Sequence, residues 1–172
     1  DLTDAGLHAI QTSGKATRNI TADPLSGLTE GEIEDARPYC ELIRRWFNLH
    51  PEFSWLPGKF KIAINGAKLD ETALRIHDLG LRLVRNEKGE LGFSVFVGGG
   101  LGAAAMIAAE TASFVPVVDI LSYLESSLRI YNLKGRRDHQ KKLRIKFLVR
   151  ELGAAEFSRL VDEDWQQTKD DP

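Results

Sequence analysis

Residues 53–65 read FSWLPGKFKIAIN. Pro57-Gly58 breaks whatever precedes it, and Ile62, Ala63 and Ile64 then make an apolar strand. Side chains two apart on a strand share a face, so Lys59 and Lys61 set two ammonium groups side by side at the strand's start. Like charges so placed repel unless an anion lies between them. The plainer reading is a solvated edge strand whose lysines block edge-to-edge pairing. Both readings put a sheet at the centre of the molecule.

Working outward, Leu79–Arg85 and Leu91–Val97 are alternating or apolar runs that flank the turn Asn86-Glu87-Lys88-Gly89. They predict a β-hairpin with glycine at the position needing positive φ. Upstream, 34–49 has Asp35 as N-cap, Pro38 in the first turn and the stripe Leu42, Ile43, Trp46, Phe47, which predicts a helix. Cys40 lies beside that stripe as a small buried residue and not a nucleophile. Asp70–Ile76 reads as a short helical turn. Ala103–Ser113 is alanine-rich and predicts a helix. Pro116 opens a stronger one over Val117–Leu133, with Val118, Leu121, Leu124, Leu128 and Tyr131 as its apolar stripe. Gly135 stops it, a basic helix spans 141–151, Gly153 breaks that, and a last helix covers 154–165. Residues 1–10 read as the close of an earlier element and 11–19, QTSGKATRN, as a polar loop. Segregated strands and helices predict α+β, an antiparallel or mixed sheet with helices packed to one side. The expected organisation is a preceding half-domain and linker over 1–27, one domain over 28–166 and a polar tail over 167–172.

Formal charge is −2, so no polyanion-binding tail is implied, and 42% hydrophobic content is that of a globular chain. A single cysteine excludes an internal disulfide, a cysteine-ligated zinc and a self-contained iron–sulfur cluster. Residues 91–109 carry no charge, but their glycines read as strand and turn, not a membrane helix. The start lacks a basic region typical of a signal peptide, so a cytoplasmic setting is expected, with no membrane partner. The four histidines show no metal-ligating spacing, so no protein metal site is expected.

Three cationic clusters stand out, around Arg18, around Lys59 and Lys61, and around Arg136. Arg18 offers a rigid guanidinium fork suited to an oxyanion. Gly98, Gly100 and Ala103 satisfy a loose dinucleotide fingerprint, but the strand before them belongs to a hairpin and not a βαβ unit, which rejects a nicotinamide site. What survives is a backbone that approaches a bulky ligand closely and an N–H nest for an anion; the plain alternative is a glycine-rich bulge. The segment Arg136–Lys146 admits nucleic acid, but the acidic overall charge and the lack of interleaved aromatics argue against it and favour a solvated helix face.

Taken in order, Thr17-Arg18-Asn19-Ile20-Thr21, Leu56-Pro57-Gly58-Lys59-Phe60-Lys61, Gly92-Phe93 leading to Val97-Gly98-Gly99-Gly100-Leu101-Gly102, and Gly135-Arg136-Arg137-Asp138 resemble the sirohaem-binding half of the sulfite/nitrite reductases. The resemblance runs over 12–165 and covers only part of the family's length. It implies an oxidoreductase fragment that takes sulfite to sulfide or nitrite to ammonia. It implies sirohaem and a 4Fe-4S cluster in the longer protein, with the cluster cysteines, C-x5-C and C-x3-C, downstream of this chain. The implied partners are sulfite or nitrite, the remainder of the reductase chain, and ferredoxin or a flavoprotein as electron donor. Arg18, Lys59 and Lys61 match substrate-side catalytic positions, one lysine being desolvated and so a usable acid. Asn19, Gly98, Gly99, Gly100, Leu101 and Arg136 match positions near the macrocycle. The chain departs from the family pattern at Gly58, where arginine is usual, at Ala16 and Thr17, where a cysteine is missing, and at Ala103–Ala105. An isolated fragment is expected to be inactive. The rival from another class is a non-catalytic anion- or tetrapyrrole-binding module.

Overall fold

The computed structural model describes residues 3–6, 13–48 and 50–170. Five strands, β1 Thr17–Thr21, β2 Phe60–Asn65, β3 Leu79–Arg85, β4 Leu91–Val97 and β5 Ala109–Pro116, form one sheet in chain order. β1, β2 and β3 run parallel, whereas β4 and β5 are antiparallel to their neighbours. Four helices accompany it: α1 Arg37–Phe47, α2 Ile120–Lys134, α3 Ile145–Leu152 and α4 Ala154–Thr168.

The β3–β4 hairpin forms where the turn chemistry placed it. Gly89 has φ +80°, and the Asn86 side-chain carbonyl accepts from the N–H groups of Lys88 and Glu90. Across the pair, Leu79, Leu81 and Leu83 face Val97, Val95 and Phe93, all fully buried. That face of the sheet carries the main core, joined by Ile43 and Phe47 of α1, Leu124, Leu128 and Tyr131 of α2, Leu148 of α3, and Phe157 and Val161 of α4. The opposite face holds, among the described residues, the small cluster Ala63, Leu74, Phe96 and Ala108, closed by coil and a 3-10 turn at Leu74–Ile76. The result is the α+β sheet with helices on one side.

Several local expectations are corrected. The expected helix over 103–113 is instead a loop followed by β5. Glu110 and Ala112 pair with Phe96 and Val95 of β4, and the ladder outweighs alanine's weak helical preference. The polar 11–19 stretch is not all loop, because from Thr17 it adds an edge strand to β2. Ala36 and not Asp35 holds the N-cap position of α1, but the Asp35 carboxylate still accepts from the first helical N–H, that of Arg37, and also binds the Arg37 guanidinium. Val118 is exposed in a 3-10 turn before α2, and α4 continues to Thr168. The element expected over 1–10 lies outside the described residues except for a turn at 3–6, and the α1 end expected at Leu49 also lies outside them.

The topology gathers five strand ends at one edge of the sheet. The starts of β1, β2 and β3 lie there, and antiparallel pairing brings the end of β4 and the start of β5 beside them. Open parallel sheets more often present ligands at the opposite, carboxyl ends of their strands. Here the amino ends carry Arg18, Lys59, Lys61 and Asp78, and the end of β4 carries the glycine run.

Candidate functional site

A cleft of about 770 Å³ opens at that end of the sheet. Its cations arrive from four segments: Lys15 and Arg18 at β1, Lys59 before β2, Lys141, Lys142 and Arg144 ahead of α3, and Lys146 and Arg150 within α3. His139 adds an imidazole, and among the described residues no Asp or Glu lines the cleft. In a chain of net charge −2, this is strong segregation of positive charge. A second cavity of about 370 Å³ shares Lys59, Leu101 and Arg144 and adds Lys61 and His77.

The structure therefore brings Arg18, Lys59 and Lys61 together around two adjoining cavities. Local register explains how. Thr17 pairs with Phe60 and Asn19 with Lys61, so Arg18 is the extra residue of a β-bulge. The bulge turns Arg18 into the cleft, where its Nε is buried without a hydrogen-bond partner. A donor in that state matches an anion that arrives from outside the chain. Lys59 is exposed and Lys61 half-buried, so neither is the desolvated lysine expected. Burial falls instead on Lys146, whose ammonium pKa is pushed below the ordinary lysine value by desolvation and then by Arg144. Its Nζ donates to the carbonyls of Leu101 (3.1 Å) and Ala104 (2.7 Å).

The glycine run behaves otherwise than expected. The Gly98 N–H donates to the Asp78 carbonyl and the Gly100 N–H to the Met106 carbonyl, so neither is open to an anion nest. The close approach is to the protein's own chain. A Cβ at Gly98 would lie 3.0 Å from Val149, and one at Gly99 would press on the carbonyls of Arg75 and His77. Of the predicted cofactor positions, Leu101 lines both cavities. Asn19 is exposed opposite Lys61 and lines neither, and Arg136 is held at 2.8 Å by Asp138 outside the cleft. At Gly58 a side chain would crowd Leu143 Cβ at 3.1 Å and the Tyr131 hydroxyl at 3.2 Å.

Sequence reading missed Arg144, which lines both cavities. Its guanidinium binds the fully buried Asp78 carboxylate through Nε (2.9 Å) and Nη2 (2.8 Å). Burial raises the Asp78 carboxyl pKa, while Arg144 and the Lys61 N–H pull it back. The signal was available only as a basic run, and its partner lies 66 residues earlier.

The family described as "Nitrite and sulphite reductase 4Fe-4S domain" matches residues 13–169. The chain belongs to this family. It is 30% identical over 165 residues to a sulfite reductase [ferredoxin] 1 of Mycolicibacterium paratuberculosis, covering 95% of this chain and 29% of that protein. It is 31% identical over 164 residues to a ferredoxin–nitrite reductase of Leptolyngbya laminosa, covering 92% and 32%. The solved structure of the Mycobacterium tuberculosis NirA protein superposes with a TM-score of 0.88 at 29% identity, covering 96% of this chain and 30% of that one. The chain thus spans under a third of the length of these relatives. The oxidoreductase family and its iron–sulfur chemistry agree with the resemblance read from the motifs. Among the described residues, no group of three or more His, Cys, Asp or Glu is placed to hold a metal, and no helix is long and apolar enough to cross a membrane.

Proposed function

We propose that this chain is the cationic pocket wall of a longer, cytoplasmic sirohaem- and iron–sulfur-dependent reductase acting on sulfite or nitrite. In this reading the pocket domain takes in β1 with Lys15 and Arg18, ahead of the boundary expected at 28, and runs to 166; the residues before β1 lead in from a preceding half-domain. The carrying observation is the cleft that collects, among the described residues, eight Lys and Arg side chains and no carboxylate. Sirohaem carries eight carboxylates, so its recognition calls for guanidinium and ammonium donors of this kind. Lys15, Lys141, Lys142 and Arg150 are the residues that would hold those carboxylates, and Leu101 would pack beside the ring. When bound, sirohaem supplies the iron at which the oxyanion is held and the route for electrons delivered from the cluster.

The chain's own residues do the rest. Arg18, with its buried unpartnered Nε, orients the oxyanion; Lys59 and Lys61 attract it and offer protons to the oxygen that departs as water. Ferredoxin, named in both relatives, is the proposed electron donor. The test is steady-state reduction of sulfite and of nitrite by the full-length protein, with Arg18→Ala, Lys59→Ala and Lys61→Ala compared against wild type. Each substitution lowers kcat/KM by about a hundredfold or more, the scale of a lost transition-state donor, and leaves the visible spectrum of the bound tetrapyrrole in place. Unchanged turnover in all three variants would refute the assignment.

A further inference from the structure

Among the described residues, Arg144 is the one cleft cation whose orientation is fixed by a buried carboxylate. Asp78 is fully buried, and all of its side-chain bonds are accounted for. Oδ1 accepts from Arg144 Nε at 2.9 Å, and Oδ2 accepts from Arg144 Nη2 at 2.8 Å and from the Lys61 N–H at 3.0 Å. Its main-chain carbonyl accepts from the Gly98 N–H. One residue thus ties the start of β2, the end of β4 and the lead into α3 together. A guanidinium has five N–H groups. Asp78 occupies one edge, and the Nη1 edge remains for the cavities that Arg144 lines. Gly100 permits this placement, since a Cβ there would lie 3.1 Å from Arg144 Nη2.

We propose that Arg144 is an anion-binding residue of the pocket and that Asp78 is its positioning residue, acting only through it. The chemistry it takes is a small oxyanion or a ligand carboxylate, met by the free guanidinium edge. Asp78 does not cancel the site's attraction: it removes rotamer freedom from Arg144. The inference rests on the functional reading above for the nature of the anion, not for the geometry.

The test is isothermal titration of sulfite, and separately of inorganic phosphate, into the full-length protein. Arg144→Gln weakens binding of one or both about tenfold, the scale of one charge-assisted pair. Asp78→Asn weakens it similarly, and Asp78→Asn/Arg144→Gln is no weaker than Arg144→Gln alone, because the effect passes through the guanidinium. Cofactor absorbance per chain stays constant across the set when the anion concerned is the small one, and falls in step when it is the ring carboxylate. Asp78→Asn that binds within twofold of wild type would overturn the positioning role, as would losses that multiply in the double variant. Should Asp78→Asn not fold, the double variant, a neutral amide pair in the same space, carries the test: wild-type affinity in it overturns the proposal. Wild-type protein that binds oxyanion but reduces none defeats the reductase reading and leaves this inference standing; wild-type protein that binds neither anion defeats both.

Discussion

Replacing Gly99 by alanine separates two accounts of the glycine run. If its role were to let a ligand approach, the chain without ligand would tolerate a methyl group there. The structure says otherwise. A Cβ at Gly99 would sit 2.5 Å from the His77 carbonyl oxygen and closer still to that of Arg75, where an ordinary contact needs more than 3 Å. Neither carbonyl is free to retreat. Arg75 O accepts from the Ala108 N–H at 2.8 Å, and His77 is anchored by its N–H to Leu74 O. Gly99 does not lie in the left-handed region, so the whole effect is overpacking, about 3 kcal/mol against backbone. For a chain of 172 residues that lowers Tm by about 6–12 °C, with the denaturant m-value unchanged. Gly102→Ala is the control, because its Cβ would meet open space while φ is +103°, so it bears only a conformational cost of about 1 kcal/mol. Urea unfolding followed by circular dichroism measures both. Gly99→Ala within about 0.5 kcal/mol of wild type would refute the packing account.

Burial pushes the Cys40 thiol from 9.0 to about 11, so at pH 8 it alkylates about a hundredfold more slowly in the folded chain than after denaturation; equal rates, read by mass spectrometry, would contradict its placement. Arg136 holds the Asp138 carboxyl down to about 2, so any stability from this exposed pair is present above 3.8 and lost as pH falls toward 2. Carboxyl NMR should find that midpoint, and Arg136→Ala should raise it toward 3.8 while the backbone hydrogen bond keeps it below that value. Arg129 bridges Glu52 at 3.0 Å, Glu125 at 2.6 Å and Asp164 at 2.9 Å while only 21% exposed. Arg129→Met leaves three carboxylates without their cation and costs about 2 kcal/mol in urea unfolding, whereas Arg37→Ala at an exposed pair changes stability by under about 0.5 kcal/mol.

What the sequence disclosed and what it hid divide along the distance over which the deciding interactions act. The β3–β4 hairpin was legible because its turn and its alternation sit within 79–97 and decide the pairing locally. β1 was not, because QTSGKATRN is polar throughout and becomes a strand only by borrowing β2's edge. Ala103–Ser113 looked helical for the converse reason: alanine content spoke for a helix, but from Ala109 on β4 offers a ladder. At the site, Lys59 and Lys61 were legible as neighbouring cations, although Lys59 precedes β2 and only Lys61 lies on it. Arg18 was legible as a cation, although not as the bulged residue that the β1–β2 register makes it. The Asp78–Arg144 pair joins residues whose separation no periodicity encodes, and the glycines that mimicked a ligand loop are packing contacts with Val149, Arg75 and His77.

The distribution of ion pairs explains why the cleft and not some other basic surface is the place for an anion. Outside it, many arginines are neutralised by carboxylates of this chain: Arg44 and Arg45 share Glu41, Arg159 meets Glu156 and Glu163, Arg37 meets Asp35, and Arg129 bridges Glu52, Glu125 and Asp164. Such pairs leave little net field beyond a Debye length. Inside it, among the described residues, Arg144 alone of the lining cations has a carboxylate partner, and that carboxylate is buried behind the wall. The remaining charges repel one another across the cleft, and a partner of opposite sign from outside the described chain relieves this. Such relief falls with added salt for a ligand held by many contacts more steeply than for one held by a single pair. A multiply charged ring and a small oxyanion should therefore separate cleanly in the salt dependence of their binding. The steeper slope belongs to the ring, and it should flatten when Lys141 and Lys142 are both changed to glutamine.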